Sequence, residues 1–253
     1  MIFKLPKIIG HRGVKDIAPE NTILGISKAI EHNLEWVEID VKVSKDNIPF
    51  LLHDDLLDRT TSGKGYPYKY SFKYIQNLDA GTWFDPKLSY LHPPTLKEVL
   101  DLCSKKDIGV NIELKPNKEK EKENVKAISN LIQINNFNCQ YFFSSFDFFS
   151  IKLMRNCMPN SYLGYLIDDF NKNKNFFQIL DICLSLECFS IGLNVKLINK
   201  EIVKTCKDNN LKITVYSDKN INLNKAKGLW SLGVDSVFID NPYSYFKTDY
   251  NLE

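Results

Sequence analysis

At 253 residues the chain is long enough for one large α/β domain or two small ones, and it can bury a substantial core. A formal charge of +2 with 25% charged residues, well scattered, gives no basis for a nucleic acid or a strongly acidic partner. Six cysteines without a Cys-x-x-Cys pair argue against structural zinc and for a reducing compartment.

Met1 to Leu5 lead directly toward a strand, and no apolar run is long enough for a signal peptide or a membrane span. The expectation is a cytoplasmic protein with no stable membrane anchor. Nothing in the sequence specifies an oligomeric state.

In chain order, β-rich runs fall at Lys7 to His11, Glu35 to Val43, Ile108 to Lys115, Gln140 to Ser145, Tyr162 to Ile167, Phe189 to Asn194, Lys212 to Ser217 and Val234 to Asp240. Helical patterns lie between them, among them Asn21 to Asn33, Leu96 to Lys105, Val125 to Asn135 and Asn222 to Leu232. Alternating strands and helices give a parallel sheet, and about eight such units in a chain of this length predict a closed (β/α)8 barrel of the TIM type. The competitor is a doubly wound open sheet, weakened because no Gly-x-Gly-x-x-Gly follows the first strand.

Two stretches depart from the repeat. Ile48 to His53 reads as an extra strand that follows the second after only Ser44-Lys45-Asp46-Asn47, too short a gap for a parallel crossover, so it folds back as a hairpin. The segment from about 54 to 94 is rich in Gly, Tyr, Lys and Ser and reads as an insertion over one barrel mouth. Residues 1–253 are thus expected to form one barrel domain carrying that insertion. The stretches Asn117 to Asn124 and Asn171 to Asn175 read as solvated loops or helix starts.

Parallel barrel strands are covered on both faces and are normally continuously apolar, so alternation of charged and aliphatic residues needs a cause. In Val37-Glu38-Ile39-Asp40-Val41 the carboxylates share one face, and in Val110-Asn111-Ile112-Glu113-Leu114-Lys115 so do Asn111, Glu113 and Lys115. If the aliphatics pack on the outer helices, Glu38, Asp40, Glu113 and Lys115 point into the barrel near its C-terminal mouth. Clustered buried carboxylates raise one another's pKa and cost several kcal/mol unless a positive charge sits among them. One divalent cation with all-oxygen ligands meets that need, Mg2+ or Ca2+, with Mn2+ also possible. The bland alternative places Glu38 and Asp40 on an exposed edge or pairs them with lysines.

If the hairpin turn is centred on Ser44 to Asn47, residue numbers across the ladder sum to about 91, which sets His53 opposite Glu38. His11, in Ile9-Gly10-His11-Arg12-Gly13 at the end of the first strand, would be a second histidine at the same mouth. His32 reads as a surface residue at a helix end and His92 as a loop residue. Three carboxylates and a divalent cation leave about −1, and a phosphodiester adds about −1, which Arg12 and Lys115 would neutralise. Two imidazoles can divide acid and base roles at neutral pH.

The ordered motifs Gly10-His11-Arg12-Gly13, Ala18-Pro19-Glu20-Asn21-Thr22, Val37-Glu38-Ile39-Asp40-Val41, Leu52-His53-Asp54, Arg59-Thr60-Thr61-Ser62-Gly63, Asp79-Ala80-Gly81-Thr82-Trp83-Phe84, Pro94-Thr95-Leu96, Asn111-Ile112-Glu113-Leu114-Lys115-Pro116 and Ser144-Ser145-Phe146 resemble those of the glycerophosphodiester phosphodiesterase family, in its short cytosolic bacterial type. The match is dense over about the first 150 residues and thin beyond. The resemblance implies metal-dependent hydrolysis of a small-molecule glycerophosphodiester to glycerol 3-phosphate and an alcohol. It implies His11 and His53 as the acid/base pair, Glu38, Asp40 and Glu113 as metal ligands, and Arg12 and Lys115 as phosphate contacts.

Glu20 and Asn21 match the family's Pro-Glu-Asn-Thr element, although the residues themselves favour a helix N-cap at Asn21 or Thr22. The chain departs from the family at Tyr216-Ser217-Asp218-Lys219, where Lys219 replaces an Asn, and at Ile239-Asp240, where Ile239 replaces a Thr. Both departures are expected at the mouth, touching the substrate. Trp83, Phe84 and Tyr66 in the insertion, and Tyr216, are candidate substrate contacts. Two alternatives share the motifs, namely a lysophospholipase D type of lipid enzyme and a non-catalytic barrel that binds glycerophosphodiesters.

Overall fold

In the computed structural model, described for residues 3–170 and 175–246, nine strands form one sheet. They are β1 (Ile8–Gly10), β2 (Trp36–Val43), β3 (Pro49–Leu51), β4 (Gly109–Leu114), β5 (Tyr141–Ser145), β6 (Leu163–Ile167), β7 (Ser190–Asn194), β8 (Lys212–Tyr216) and β9 (Ser236–Ile239). All except β3 are parallel, and pairing of β1 with both β9 and β2 closes them into an eight-stranded barrel. The helices α1 (Ile23–Glu31), α2 (Phe72–Ile75), α3 (Leu96–Lys106), α4 (Glu121–Ile134), α5 (Phe148–Cys157), α6 (Phe176–Ser185), α7 (Lys200–Asp208) and α8 (Leu223–Leu232) lie between the strands. The (β/α)8 expectation holds, and the open sheet is ruled out by the closure.

Alternation explains the layering. On β2 the odd residues Val37, Ile39 and Val41 pack outward into the main core beneath the helices, each fully buried. Burying each such side chain contributes about 1.5–3 kcal/mol. The even residues Trp36, Glu38, Asp40 and Lys42 therefore face the barrel axis. The lowest layer is apolar: Trp36 meets Ile9, Phe142 and Phe238, and Phe3 closes the bottom with its ring edge-on to Trp36 at 5.5 Å. Inward positions on the far strands include Ser144, Gly164, Gly192 and Thr214, and the Leu166 side chain fills the room over Gly192, where a Cβ would lie 2.3 Å from it.

Gly109 is part of this plug. It pairs with Trp36, and a Cβ there would lie 2.1 Å from the indole. Gly109→Ala must displace Trp36, so we expect a stability loss of about 1–3 kcal/mol in urea unfolding, with no change of fold.

β2 outruns β1 at its C-terminal end, and β3 pairs antiparallel with the edge left free. The expected hairpin is present, but its register differs. Val41 pairs with Leu51 and Val43 with Pro49, so the numbers sum to 92 rather than 91. The reason lies in the turn: Ser44 N–H donates to Ile48 O at 3.2 Å, which leaves a three-residue loop whose last residue, Asn47, adopts φ 57°. Asn tolerates that left-handed conformation, and such loops favour it. The strand also stops at Leu51, short of the expected end at His53. His53 therefore sits beyond the ladder and not opposite Glu38.

Residues 54–94 contain α2 and two 3₁₀ turns, Pro67–Lys69 and Pro86–Leu88. Leu57, Ile75 and Leu78 pack on Phe50 and Leu52 as a small separate core. Asn117 and Asn124, expected in solvated loops or helix starts, are buried: the Asn117 amide donates to Asp55 and the Asn124 amide to Val41 O at 2.9 Å. Asn175 caps α6, while 171–174 lie outside the described residues.

Candidate active site

The first strand delivers two site residues through an unusual turn. Arg12 has φ 52°, a conformation that costs an L-residue roughly 1–2 kcal/mol. Its N–H donates to Glu38 Oε2 at 2.8 Å, a hydrogen bond that offsets the cost. Gly13 follows at φ 85°, where a Cβ would meet the backbone of Gly25 at 2.6 Å, so only glycine lets this loop pass against α1. The turn leaves the His11 ring facing the barrel axis, partly buried.

His11 Nδ1 lies 2.7 Å from Asp240 Oδ1, and Asp240 Oδ2 lies 3.0 Å from Lys15 Nζ. That contact leaves Nε2 toward the acidic cluster, 3.9 Å from Glu38 Oε2. Burial lowers the His11 pKa below its ordinary value, with Asp240 opposing the shift. On the other side, His53 Nδ1 lies 2.8 Å from Asp54 Oδ1. Burial lowers the His53 pKa as well, against the attraction of Asp40.

Between them stand the carboxylates. Parallel pairing aligns Glu38 with Asn111 and Asp40 with Glu113. One oxygen each from Glu38, Asp40 and Glu113 falls within 4.8 Å of the others, and all three residues are buried. The Asn21 amide donates to Asp40 Oδ2 at 2.8 Å while its oxygen accepts the Asp40 N–H at 3.1 Å, a two-point clasp on the middle acid. Lys115 Nζ donates to Glu113 Oε1 at 2.7 Å and lies 3.5 Å from Asp40. Arg12 Nε is 3.3 Å from Asp40, and Arg12 Nη1 donates to Glu20 Oε1 at 2.8 Å.

The three acids are not equivalent. Burial, reinforced by Asp40 and Glu113, pushes Glu38 well above the usual carboxylate range. Burial also raises Glu113, with Lys115 opposing it. Burial works on Asp40 in the same direction, but Lys115, Arg12 and His53 outweigh it and hold that carboxyl well below its ordinary value. Glu38 Oε1 is buried without a hydrogen-bond partner, a costly arrangement that a cation would relieve. An all-oxygen donor set with an unpartnered carboxyl oxygen suits a hard divalent ion.

The pocket above this cluster holds about 450 Å³ and includes His11, Arg12, Glu38, His53, Glu113 and Lys115 in its wall, with Tyr216, Phe146 and Phe238 as aromatic surface. Asp40 lies just behind as part of the carboxylate group. Trp83 and Phe84 do not line the pocket. The Trp83 indole N–H donates to Ala80 O, and its ring packs under the Arg59 guanidinium at 5.9 Å. Tyr66 stacks on Tyr68, also away from the pocket wall. Tyr216 lines the pocket and donates to Asp168 at 3.1 Å.

Of the two departures at the chain's end, Ser217 and Asp218 line the pocket but Lys219 is exposed outside it. Ile239 is fully buried in the outer core, because alternation on β9 turns Phe238 and Asp240 inward instead. The expectation that it touches substrate is thereby corrected. His32 sits edge-on to Tyr243 and His92 lines a separate groove beside Phe72.

The sequence reading left the α1 cap between Asn21 and Thr22 and gave no role to several charged residues around the pocket. Thr22 is the α1 N-cap, accepting from Gly25 N–H, and this frees Asn21 for Asp40. Glu20, Asp54, Arg59, Lys15 and Asp240 form the charged surround. Asp240 had one available signal, its place at the C-terminal end of a barrel strand. Asp54 had another, its adjacency to His53.

The fold and the pocket together define a (β/α)8 barrel whose C-terminal mouth gathers two histidines, a three-carboxylate cluster and the cations Arg12 and Lys115. A model of the glycerophosphoryl diester phosphodiesterase family matches residues 11–244, and the chain belongs to that family. A glycerophosphodiester phosphodiesterase of Caldanaerobacter subterraneus subsp. tengcongensis is 30% identical over 240 residues, which span 93% of this chain and 94% of that one. The structure of an Oleispira antarctica phosphodiesterase in complex with the product sn-glycerol-3-phosphate superposes with a TM-score of 0.86 at 31% identity, over 94% of each chain. A glycerophosphodiester phosphodiesterase from Agrobacterium tumefaciens shares the fold at 23% identity, with a TM-score of 0.77 over 94% of this chain and 97% of that one.

Proposed function

We propose that this chain is a single-domain cytoplasmic enzyme, with residues 54–94 as its insertion, that hydrolyses glycerophosphodiesters to glycerol 3-phosphate and an alcohol. The observation that carries the reading is one pocket wall containing two imidazoles, each held at Nδ1 by a carboxylate, around a three-carboxylate cluster flanked by Arg12 and Lys115. The product bound by the Oleispira relative supports it.

Arg12 and Lys115 bind the non-bridging phosphate oxygens in this reading. Both remain protonated, since neighbouring carboxylates outweigh the effect of burial on each. His11 and His53 offer Nε2 to the reaction. One takes the proton from the attacking oxygen, of water or of a glycerol hydroxyl whose cyclic ester water then opens, and the other gives a proton to the departing alkoxide. Asp240 and Asp54 hold the tautomers that make this division of labour workable. Glu38, Asp40 and Glu113 would hold a divalent cation, Mg2+ or Ca2+, which polarises a phosphoryl oxygen when bound.

The test is a panel of glycerophosphodiesters with choline, ethanolamine, glycerol and inositol as alcohols, incubated with cation-loaded protein. Glycerol 3-phosphate should appear from at least one. Release of the phosphorylated alcohol instead, or no release from protein shown to bind the cation, would overturn the reading.

A further inference from the structure

Among the described residues four cations line the pocket, and the number of hydrogen bonds each donates to carboxylates distinguishes them. Arg12, Lys15 and Lys115 each lie within 4.0 Å of two carboxylates, but Arg12 and Lys115 donate only one side-chain hydrogen bond each to them. Arg59 is different. Its Nε donates to Asp54 Oδ2 at 2.7 Å and its Nη2 to Asp54 Oδ1 at 2.8 Å, while Nη2 and Nη1 donate to Glu20 Oε1 and Oε2 at 2.7 and 2.9 Å. Four of its five N–H groups are therefore committed to two carboxylates in a double fork. A guanidinium so committed has little left for a phosphate.

What those carboxylates hold gives the fork a purpose. Asp54 Oδ1 contacts His53 Nδ1, and Glu20 Oε1 accepts from Arg12 Nη1. A continuous chain thus runs His53, Asp54, Arg59, Glu20, Arg12, joining the loop after β1 to the loop after β3. Arg59 is anchored at the base by its neighbours Leu57, buried in the small core, and Thr60, also buried. Trp83 covers the guanidinium from the insertion side.

We infer that Arg59 is a positioning residue that sets the His53 imidazole and the Arg12 guanidinium in register with each other, and that Trp83 acts through it. The inference rests on the proposed roles of His53 and Arg12. Without Arg59, Asp54 and Glu20 lose their shared counter-charge, and the His53 ring loses its fixed Nδ1 anchor.

The test measures kcat and KM for Arg59→Ala, Arg59→Lys and His53→Ala on a glycerophosphodiester that the wild type cleaves, with melting temperatures alongside. Arg59→Ala should lower kcat about 10- to 100-fold, the usual loss when a partner that orients a reacting group is removed. KM should stay close to that of the wild type. Millimolar guanidinium should restore part of kcat, while neutral urea at the same concentration should not. Arg59→Lys, which keeps the charge and so protects folding, should also lose kcat, because an ammonium cannot fork two carboxylates.

A raised KM with unchanged kcat would make Arg59 a substrate ligand and overturn the inference. So would wild-type kcat in Arg59→Lys beside an inactive His53→Ala, a result that leaves the proposed function standing. Wild-type turnover in His53→Ala would instead overturn the proposed role of His53, and this inference with it.

Discussion

His11→Ala and His53→Ala should each lower kcat by about 100- to 10,000-fold, the contribution of a positioned general acid or base. The two side chains line one pocket and have matched settings: a carboxylate at Nδ1 at 2.7 and 2.8 Å, and a pKa lowered mainly by burial. Neither imidazole is required to complete the carboxylate cluster, so cation affinity should change much less than kcat. The double variant should fall little below the worse single one if both serve the same proton-transfer sequence. Turnover near that of the wild type in either single variant would remove that histidine from the mechanism. Rates should be compared at equal bound cation, measured by calorimetry.

Glu38→Gln should weaken divalent-cation binding by more than about 100-fold, beyond the loss typical of residues that only orient a ligand. The substitution keeps the side chain's shape and Arg12's backbone contact within reach while removing the anionic charge. As a ligand, Glu38 would also make cation binding pH-dependent. Burial and its two acidic neighbours raise its pKa, so the folded, cation-free protein keeps a proton there at a pH where a free glutamate has lost it. Binding requires the carboxylate and expels that proton. Affinity should therefore rise with pH above the range in which a free glutamate titrates, by up to about tenfold per pH unit while Glu38 remains protonated. Glu38→Gln should make the profile shallower and leave the part due to Glu113, whose pKa burial also raises. A pH-independent affinity in the wild type would mean that Glu38 is not a ligand.

The acidic cluster was legible in the sequence because parallel barrel strands leave no solvent face to excuse alternating charge, and both β2 and β4 alternate. The barrel followed from the strand and helix order. The hairpin was legible to within one residue, and that residue mattered: Asn47 in the left-handed conformation shortens the loop to three, which moves the register from 91 to 92. His53 reaches the pocket nonetheless because it lies past the ladder, where the chain turns toward Asp54 and Arg59.

Asn21 was obscured by its own chemistry. The residue type that suits an N-cap is also one of the few that tolerate φ 55°, and Thr22 takes the cap. Asp240 was hidden by distance, since it meets His11 across 229 positions of sequence, and only barrel closure through β1 and β9 brings them together. Trp83 and Phe84, which do not line the pocket, were ambiguous in the sequence because aromatic residues in an insertion signal packing and binding alike. Arg59 now accounts for the packing of Trp83.

The most direct test is release of glycerol 3-phosphate from a glycerophosphodiester by the same protein preparation in three states: as purified with added Mg2+ or Ca2+, after exhaustive chelation, and after the cation is restored. The geometry of Glu38, Asp40 and Glu113 predicts activity in the first state, loss of at least about 100-fold in the second and recovery in the third. Full activity in chelated protein shown to be free of cation would contradict it.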